Sequence, residues 1–481
     1  MQISPVFNIL GLLLTLLSAA MLVPMGLDLA DGNPNWQAFA IAALLTGFFG
    51  ISLWLSNHQK DEMDLGLREA FLLTNGAWFF IGLFGALPFF LSDLQLSISD
   101  SVFESISGVT TTGSTILTEI ERASRGILIW RALLQWLGGV GIVVMAMAVL
   151  PMLSVGGMQL FKTESFENAE NVIPRARQLA GGLFIVYTAL TLLWTIMLAF
   201  AGMPTFDALA HAMTTLATGG YSTKTASIGA FDSVAIEMII IAGMIAGSLP
   251  FVHYLALTRG GWRALIKDPQ VGWFMRLVIG VVILITIFLI SEGMGWLTAL
   301  RLASFNAISI ITGTGYGTAD FAAWGGFATT ILLISMFIGG CAGSTTCGIK
   351  MFRLQVLMGT VRVQIARLLR PHGVVLAYYN NRPVPESVMD AVMGFFYLYI
   401  VSFVMLAMLL GLSGLDFDTA LSGAATAISN VGPGLGPVIG PAGDFSSLPD
   451  ISKWIMCFGM LLGRLELFTV LVILNPLFWQ R

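Results

Sequence analysis

The chain has 481 residues, of which 56% are hydrophobic and only 10% charged, with a formal net charge of −4. Soluble domains carry roughly a quarter charged residues, so this composition excludes a soluble enzyme and puts the bulk of the chain in lipid. The net charge itself says little, because most of such a surface faces hydrocarbon; the distribution of Lys and Arg between the two sides says more.

A spanning helix needs roughly 20 apolar residues. That criterion predicts ten crossings, at about 4–24, 36–56, 68–92, 126–153, 179–202, 233–257, 273–294, 326–348, 386–412 and 451–476. The first reads as a retained helix and not a secretory signal, since it lacks a basic leading region and its small residues Ser18 to Ala20 lie inside the apolar run. Ten crossings put both termini on one side. With the 57–68 linker taken as inside, 16 of the 23 Lys and Arg fall inside, 6 outside, and Arg464 lies within the last helix. The basic side is the cytoplasmic one, so both termini are expected in the cytoplasm of a multi-pass inner-membrane protein.

Between outward and inward helices lie four segments too apolar for external loops and too short to span, at about 99–111, 205–217, 299–311 and 417–429. Each is a half-length helical stretch followed at once by Gly, Thr, Ser or Asn. That pattern predicts a helix that dips into the membrane and returns as extended backbone, which survives there only inside protein or beside water. Superposed, the segments share a hydroxyl at Ser107, Thr214, Ser309 and Thr426 and a glycine at Gly113, Gly220, Gly315 and Gly432, with periods of 107, 95 and 117 residues. A second register follows in the next helix, at Gly138, Gly247, Gly339 and Gly463, which trail the loop glycines by 25, 27, 24 and 31 residues. These helix glycines fit ordinary helix packing equally well; the loop glycines do not.

The expected fold is therefore an all-α polytopic membrane protein of ten transmembrane helices and four re-entrant pore helices, arranged as fourfold pseudo-symmetric repeats around one pore. Two N-terminal helices (1–66) precede repeats at 67–158, 159–268, 269–385 and 386–481. Four backbone segments around an axis can offer a dehydrated cation a ring of carbonyls in place of its water. Glycine lets a carbonyl face the axis, and half-helices aiming their C-terminal ends inward add negative potential. The pattern favours a monovalent cation.

The motifs Thr110-Thr-Thr-Gly-Ser114, Thr218-Gly-Gly-Tyr-Ser222, Thr312-Gly-Thr-Gly-Tyr-Gly317 and Asn430-Val-Gly-Pro-Gly434, with the stretch Gly339 to Lys350 and Arg464, resemble the bacterial Trk/Ktr superfamily of potassium transporters over essentially the whole chain. The two extra N-terminal helices and the Arg370-Pro-His-Gly373 stretch resemble its TrkH-type membrane subunits. The resemblance implies potassium uptake through one pore per subunit of a homodimer, controlled by a cytoplasmic TrkA-like nucleotide-binding ring. It implies a filter at Thr111, Thr112, Gly113, Thr218, Gly219, Gly220, Gly313, Thr314, Gly315, Asn430, Val431 and Gly432. It also implies a gate at Gly340, Ala342, Gly343, Ser344, Thr345, Thr346, Gly348, Lys350 and Arg464. Only the third repeat reads Thr314-Gly-Tyr-Gly317, so discrimination looser than that of a symmetric potassium filter is expected.

The stretch 339–350 is rich in Gly, Ser and Thr yet should lie deep in the membrane, so it is expected to break its helix, line water and obstruct permeation when closed; a helix kinked by its glycines for packing is the plainer alternative. Arg464 costs at least about 2.5 kcal/mol at a helix centre, which suits a barrier charge inside the filter; pairing with Glu466 or snorkelling is the structural alternative. Glu104, Asp207 and Asp416 are placed to concentrate cations at pore entrances, or are simply solvated, and His211 shares the Glu104 register as a packing residue. Cys341, Cys347 and Cys457 lack metal-ligand spacing and read as small buried side chains. The histidines His58, His211, His253 and His372 are dispersed, and no Walker-type phosphate loop occurs. No cofactor is expected in this chain, so ATP, ADP or NAD would act on the regulatory partner; the other expected partners are potassium and membrane lipid, with no nucleic acid. The basic 350–385 segment is a plausible docking face. Passive flow and proton-coupled transport both fit these motifs.

Overall fold

The computed structural model describes residues 3–58, 66–146, 156–158, 172–257, 261–380 and 382–480. The end of the fourth expected crossing, the join at 159–171, and Lys60, Lys162, Arg259 and Arg481 lie outside them. The described chain is helical apart from a small antiparallel hairpin pairing Tyr378–Tyr379 with Arg382–Pro383. Among the described residues seven helices are long and apolar enough to cross a membrane, or nine if each of two bent pairs is one span.

Trp36–Ser56 and Glu386–Leu412 coincide with the expected spans, and Ser4–Ala30, Leu67–Leu91, Arg125–Val144, Gln178–Phe200 and Pro269–Ser291 lie close to theirs. Three expected spans are not continuous. The span expected at 233–257 ends at Ser248 and restarts at Phe251 after a 99° bend, at Leu249-Pro250, where proline has no N–H for the helical ladder. The span expected at 451–476 stops at Arg464 and resumes at Phe468 after a 115° bend, because Glu466 (φ 63°) and Leu467 (φ 35°) leave the helical region. The span expected at 326–348 is helical only over Gly326–Met336; irregular backbone follows to Lys350, and a helix runs over Met351–Leu369.

Four short helices sit inside this shell: Ile98–Val109, Thr205–Leu216, Trp296–Ile311 and Phe417–Ser429. Their starts are set by local chemistry. Ser97 accepts from the amide of Asp100, Asp416 accepts from that of Thr419, and Pro204 precedes the second helix. Every residue from Ser101 to Val109 is buried, so this helix packs on all sides, unlike a surface helix with one apolar stripe. The N-terminal pair is fastened to the first unit: the buried Asp28 carboxylate accepts from Gly126 N (2.7 Å) and Ser124 Oγ (2.9 Å) at the start of Arg125–Val144.

Candidate ion path

Each short helix ends in a loop of unusual backbone. Thr111 and Gly113, Thr218 and Gly220, and Gly313 and Gly315 have positive φ at alternate positions; in the fourth loop only Asn430 does. Alternating left- and right-handed residues turn successive carbonyls toward one side of the strand, which an ordinary β-strand does not do. The four loops also touch in cyclic order. A Cβ added to Gly113 would lie 2.1 Å from Gly219 O, one on Gly220 1.8 Å from Thr314 O, one on Gly315 2.8 Å from Gly432 N, and one on Gly432 3.2 Å from Gly113 O. First meets second, second meets third, third meets fourth, and fourth meets first.

Buried backbone carbonyls nearly always have partners. Yet among the described residues no donor is bonded to the carbonyls of Thr111, Thr112, Gly113, Thr218, Gly220, Gly313, Thr314, Gly315, Asn430 or Val431. Two of the expected filter carbonyls differ: Gly219 O accepts from Gln135 Nε2 (2.6 Å) and Gly432 O from Ser114 Oγ (2.8 Å). The side chains of two others face protein. Val431 joins an apolar cluster with Ala425, Leu435 and Leu332, and Asn430 Nδ2 donates to Thr112 Oγ1 (3.0 Å) and Met460 O (2.9 Å). Against this ring lies a cavity of about 80 Å³ lined by all four register glycines together with Thr115, Ser222 and Lys224.

The loops are held by the residues that recur. Ser107 Oγ donates to Ser114 O (2.6 Å) and Ser309 Oγ to Tyr316 O (2.7 Å), seven residues on in both units. The residue after the register glycine reaches the preceding unit: Ser114 to Gly432 O, Tyr221 OH to Glu104 O (2.7 Å), and Tyr316 OH to Thr214 Oγ1. Glu104 itself corrects the sequence reading of an entrance acid. It is fully buried, accepting from Arg131 Nε (2.7 Å) and Ile116 N (3.0 Å), so it ties the loop down. Its register mate His211 does the same work through Ser222 Oγ (3.0 Å) and Asp207 O (2.8 Å). Asp207 is buried in the first turn of its helix, and Asp416 is the exposed helix cap.

Beneath the ring, the second-register glycines serve close approach in three units. A Cβ on Gly138 would lie 1.9 Å from Val109 O, on Gly247 2.9 Å from Leu216 O, and on Gly463 2.1 Å from Ile428 O. Those carbonyls occupy the same position, four residues before the loop glycine. In the third unit the chain has already left the helix, and Gly339 (φ 72°) instead faces Cys347 O of its own loop, 1.9 Å from a Cβ there. The 337–350 segment folds back on itself and under the second unit. Gly340 N donates to Thr346 Oγ1 (3.0 Å), whose hydroxyl also meets Ser344 Oγ (2.7 Å), and Ala342 N donates to Gln270 Oε1 (2.9 Å). Gly343 O accepts from Phe251 N (2.9 Å), while Gly343 and Gly348 have positive φ. Thr345 Oγ1 accepts from Thr218 (3.1 Å) and donates toward Leu216 O and Gly247 O.

Arg464, 1% exposed, reaches this segment from the opposite helix. Nη1 donates to Thr345 O (3.0 Å) and Cys347 Sγ (2.7 Å), and Nη2 to Gly138 O (2.9 Å). It makes no ion pair with Glu466, whose carboxylate instead meets Arg353 and lies 3.5 Å from Lys350 Nζ. Lys350 and Arg353, counted as cytoplasmic from sequence, are both buried.

A shell of apolar helices around a polar ring of unclaimed carbonyls defines a class, the multi-pass membrane transport proteins. A family model described as "TrkH: Cation transport protein" matches residues 35–479. The chain is 42% identical to the Trk system potassium uptake protein TrkI of Halomonas elongata over 99% of this chain and 97% of that one. It is 37% identical to the Trk system potassium uptake protein TrkH of Escherichia coli K12, covering all of both. The crystal structure of the potassium transporter TrkH from Vibrio parahaemolyticus superposes with a TM-score of 0.92 at 35% identity, again over the whole of both chains. The chain belongs to the TrkH family of cation transport proteins, a family of transporters and not of enzymes.

Proposed function

We propose that this chain takes up potassium across the cytoplasmic membrane through a filter formed by the four loops, closed from below by the 337–350 segment. One observation carries the reading: ten carbonyls on a closed ring of four strands, seven of them in buried residues and three at the half-buried Gly113, Gly220 and Gly315, have no protein donor among the described residues. Acceptors left without donors in a membrane protein call for a cation or for water. The names of the relatives, Trk system potassium uptake proteins, support potassium as that cation. In this reading the chain makes ten crossings, two of them bent and one interrupted, with four re-entrant pore helices in repeats at 67–158, 159–268, 269–385 and 386–481. Both termini lie in the cytoplasm.

Arg464 supplies the barrier. Its positive charge opposes a cation below the filter, and its bonds to Thr345 O and Cys347 Sγ hold the loop shut. The subunit works as a homodimer with one path per subunit, regulated by a TrkA-like ring that carries the nucleotide. The test is rubidium uptake into liposomes holding the purified protein, driven by an internal potassium load, with potassium, sodium and lithium as external competitors. Uptake that potassium competes best supports the reading. Absence of uptake both with and without the regulatory ring overturns it.

A further inference from the structure

The ring of loops is not braced equally on its four sides. Gln135 is fully buried on the helix Arg125–Val144, and its amide spans the second loop from outside. Nε2 donates to Gly219 O (2.6 Å), and Oε1 accepts from Tyr221 N (3.0 Å). A carbonyl only accepts and a backbone N–H only donates, so the two partners fix the orientation of the amide. Between them lies Gly220, the register glycine, whose carbonyl is unclaimed. One turn earlier Arg131 donates to Ser222 O (2.8 Å) and stacks 4.0 Å from the Tyr221 ring centre, while Glu104 holds its guanidinium.

The register of the second helices makes this brace unique to one side. Gln135 lies three residues before Gly138, and the matching residues before Gly247, Gly339 and Gly463 are Met244, Met336 and Met460. All three methionines are buried, and a thioether is at best a weak acceptor with no donor. Three sides of the ring are thus backed by adaptable apolar side chains, and one by an amide that makes two directed bonds across a filter strand.

We propose that Gln135 is a positioning residue that fixes the second filter strand and thereby sets how well the path discriminates potassium from the smaller sodium. The proposal rests on the filter reading above. Discrimination by carbonyl ligands depends on their number and on how firmly they are held against collapse onto a smaller ion. With Gly219 O turned onto Gln135, the strand is held outward, and Gly220 O cannot follow a sodium ion inward without stretching both bonds.

The test compares Gln135→Met, which installs the side chain of the other three units, with the wild type and with Met244→Leu, using potassium and sodium flux in liposomes and the melting temperature of the purified protein. The expected result is an intact fold, retained potassium flux, and a sodium-to-potassium ratio raised about fivefold, which corresponds to about 1 kcal/mol of lost positioning; Met244→Leu leaves the ratio unchanged. A ratio equal to wild type in folded Gln135→Met overturns the proposal. If that variant does not fold, Gln135→Asn decides, since it keeps a neutral amide but is one methylene too short to hold Gly219 O and Tyr221 N as Gln135 does: a raised ratio supports the proposal and an unchanged one overturns it. Wild-type protein that does not prefer potassium overturns the filter reading, and this inference with it; a selective wild type with indifferent variants overturns only the inference.

Discussion

The second helices of the four units carry one glycine in one register and use it in two ways. In the first, second and fourth units the missing Cβ lets the helix press against a carbonyl at the end of its short helix, at Gly138, Gly247 and Gly463. In the third unit the helix has already ended at Met336, and Gly339 takes a left-handed turn that starts the irregular segment running to Lys350. A repeat conserves position more strictly than purpose. Where the three packed units fix the ring, the third has given up a helical wall for a loop that lies under it.

The largest expected effect falls on the ring itself. Gly220→Ala places a methyl 1.8 Å from Thr314 O and demands φ 77° of an L-residue, while Gly317→Ala, whose Cβ meets nothing within 4 Å, is the matched control. Rubidium uptake is expected to fall more than tenfold in the first and to stay near wild type in the second. Equal activity in both would break the claim that the loops touch in cyclic order.

Next come the two kinds of helix glycine. Gly138→Ala drives a methyl into Val109 O, which is backbone and cannot swing away, so a stability loss of about 1–3 kcal/mol is expected from overpacking. The melting temperature reads it. Gly339→Ala clashes with Cys347 O inside the loop, so its effect is expected mainly on uptake, with the melting temperature changed less. The same phenotype from both would erase the distinction between packing and loop. Arg464→Ala sharpens the same comparison from the other side. It frees Thr345 O and Gly138 O at once, and a severalfold rise in uptake without the regulatory ring is the expected result; a fall would mean that Arg464 supports the path and does not bar it.

The comparison also explains what the sequence could and could not reveal. The loop glycines were legible because a backbone geometry that only glycine adopts easily had to recur wherever a strand turned its carbonyls inward, as at Gly113, Gly220 and Gly315. The bends at Leu249-Pro250 and at Glu466-Leu467 were not, since apolar windows measure length and not direction. Glu104 was misread for a different reason: an acid near an apolar segment looks solvated until its partner is known, and Arg131 lies 27 residues away on another helix. Gln135 did leave a signal. One polar residue against Met244, Met336 and Met460 is visible once the second register is extended by three positions, but nothing in one dimension says that it crosses to the loop of the next unit.

The smallest expected effect separates two helix starts. Ser97 and Asp416 both cap a short helix through a side-chain oxygen, but only Asp416 titrates. Thr419, whose backbone amide donates to the Asp416 carboxylate (3.2 Å), holds that carboxyl below the usual carboxylate range. A lowered folded value means that the contribution is complete above the unfolded value near 4 and is lost as the pH falls through the folded one. Asp416 is exposed and screened, so the electrostatic part is slight, and either cap replaced by alanine is expected to cost about 0.5–1 kcal/mol at neutral pH. The pH dependence distinguishes them. Between pH 5 and 3 the gap in melting temperature between wild type and Asp416→Ala should narrow, because protonation weakens the cap that the variant lacks, whereas the gap for Ser97→Ala should narrow less, since that cap is a neutral hydroxyl and only its further bond to Asp100 (2.8 Å) involves a carboxylate. A constant gap for both would mean that the carboxylate charge contributes nothing and that the fourth short helix is held, like the second behind Pro204, by its burial alone.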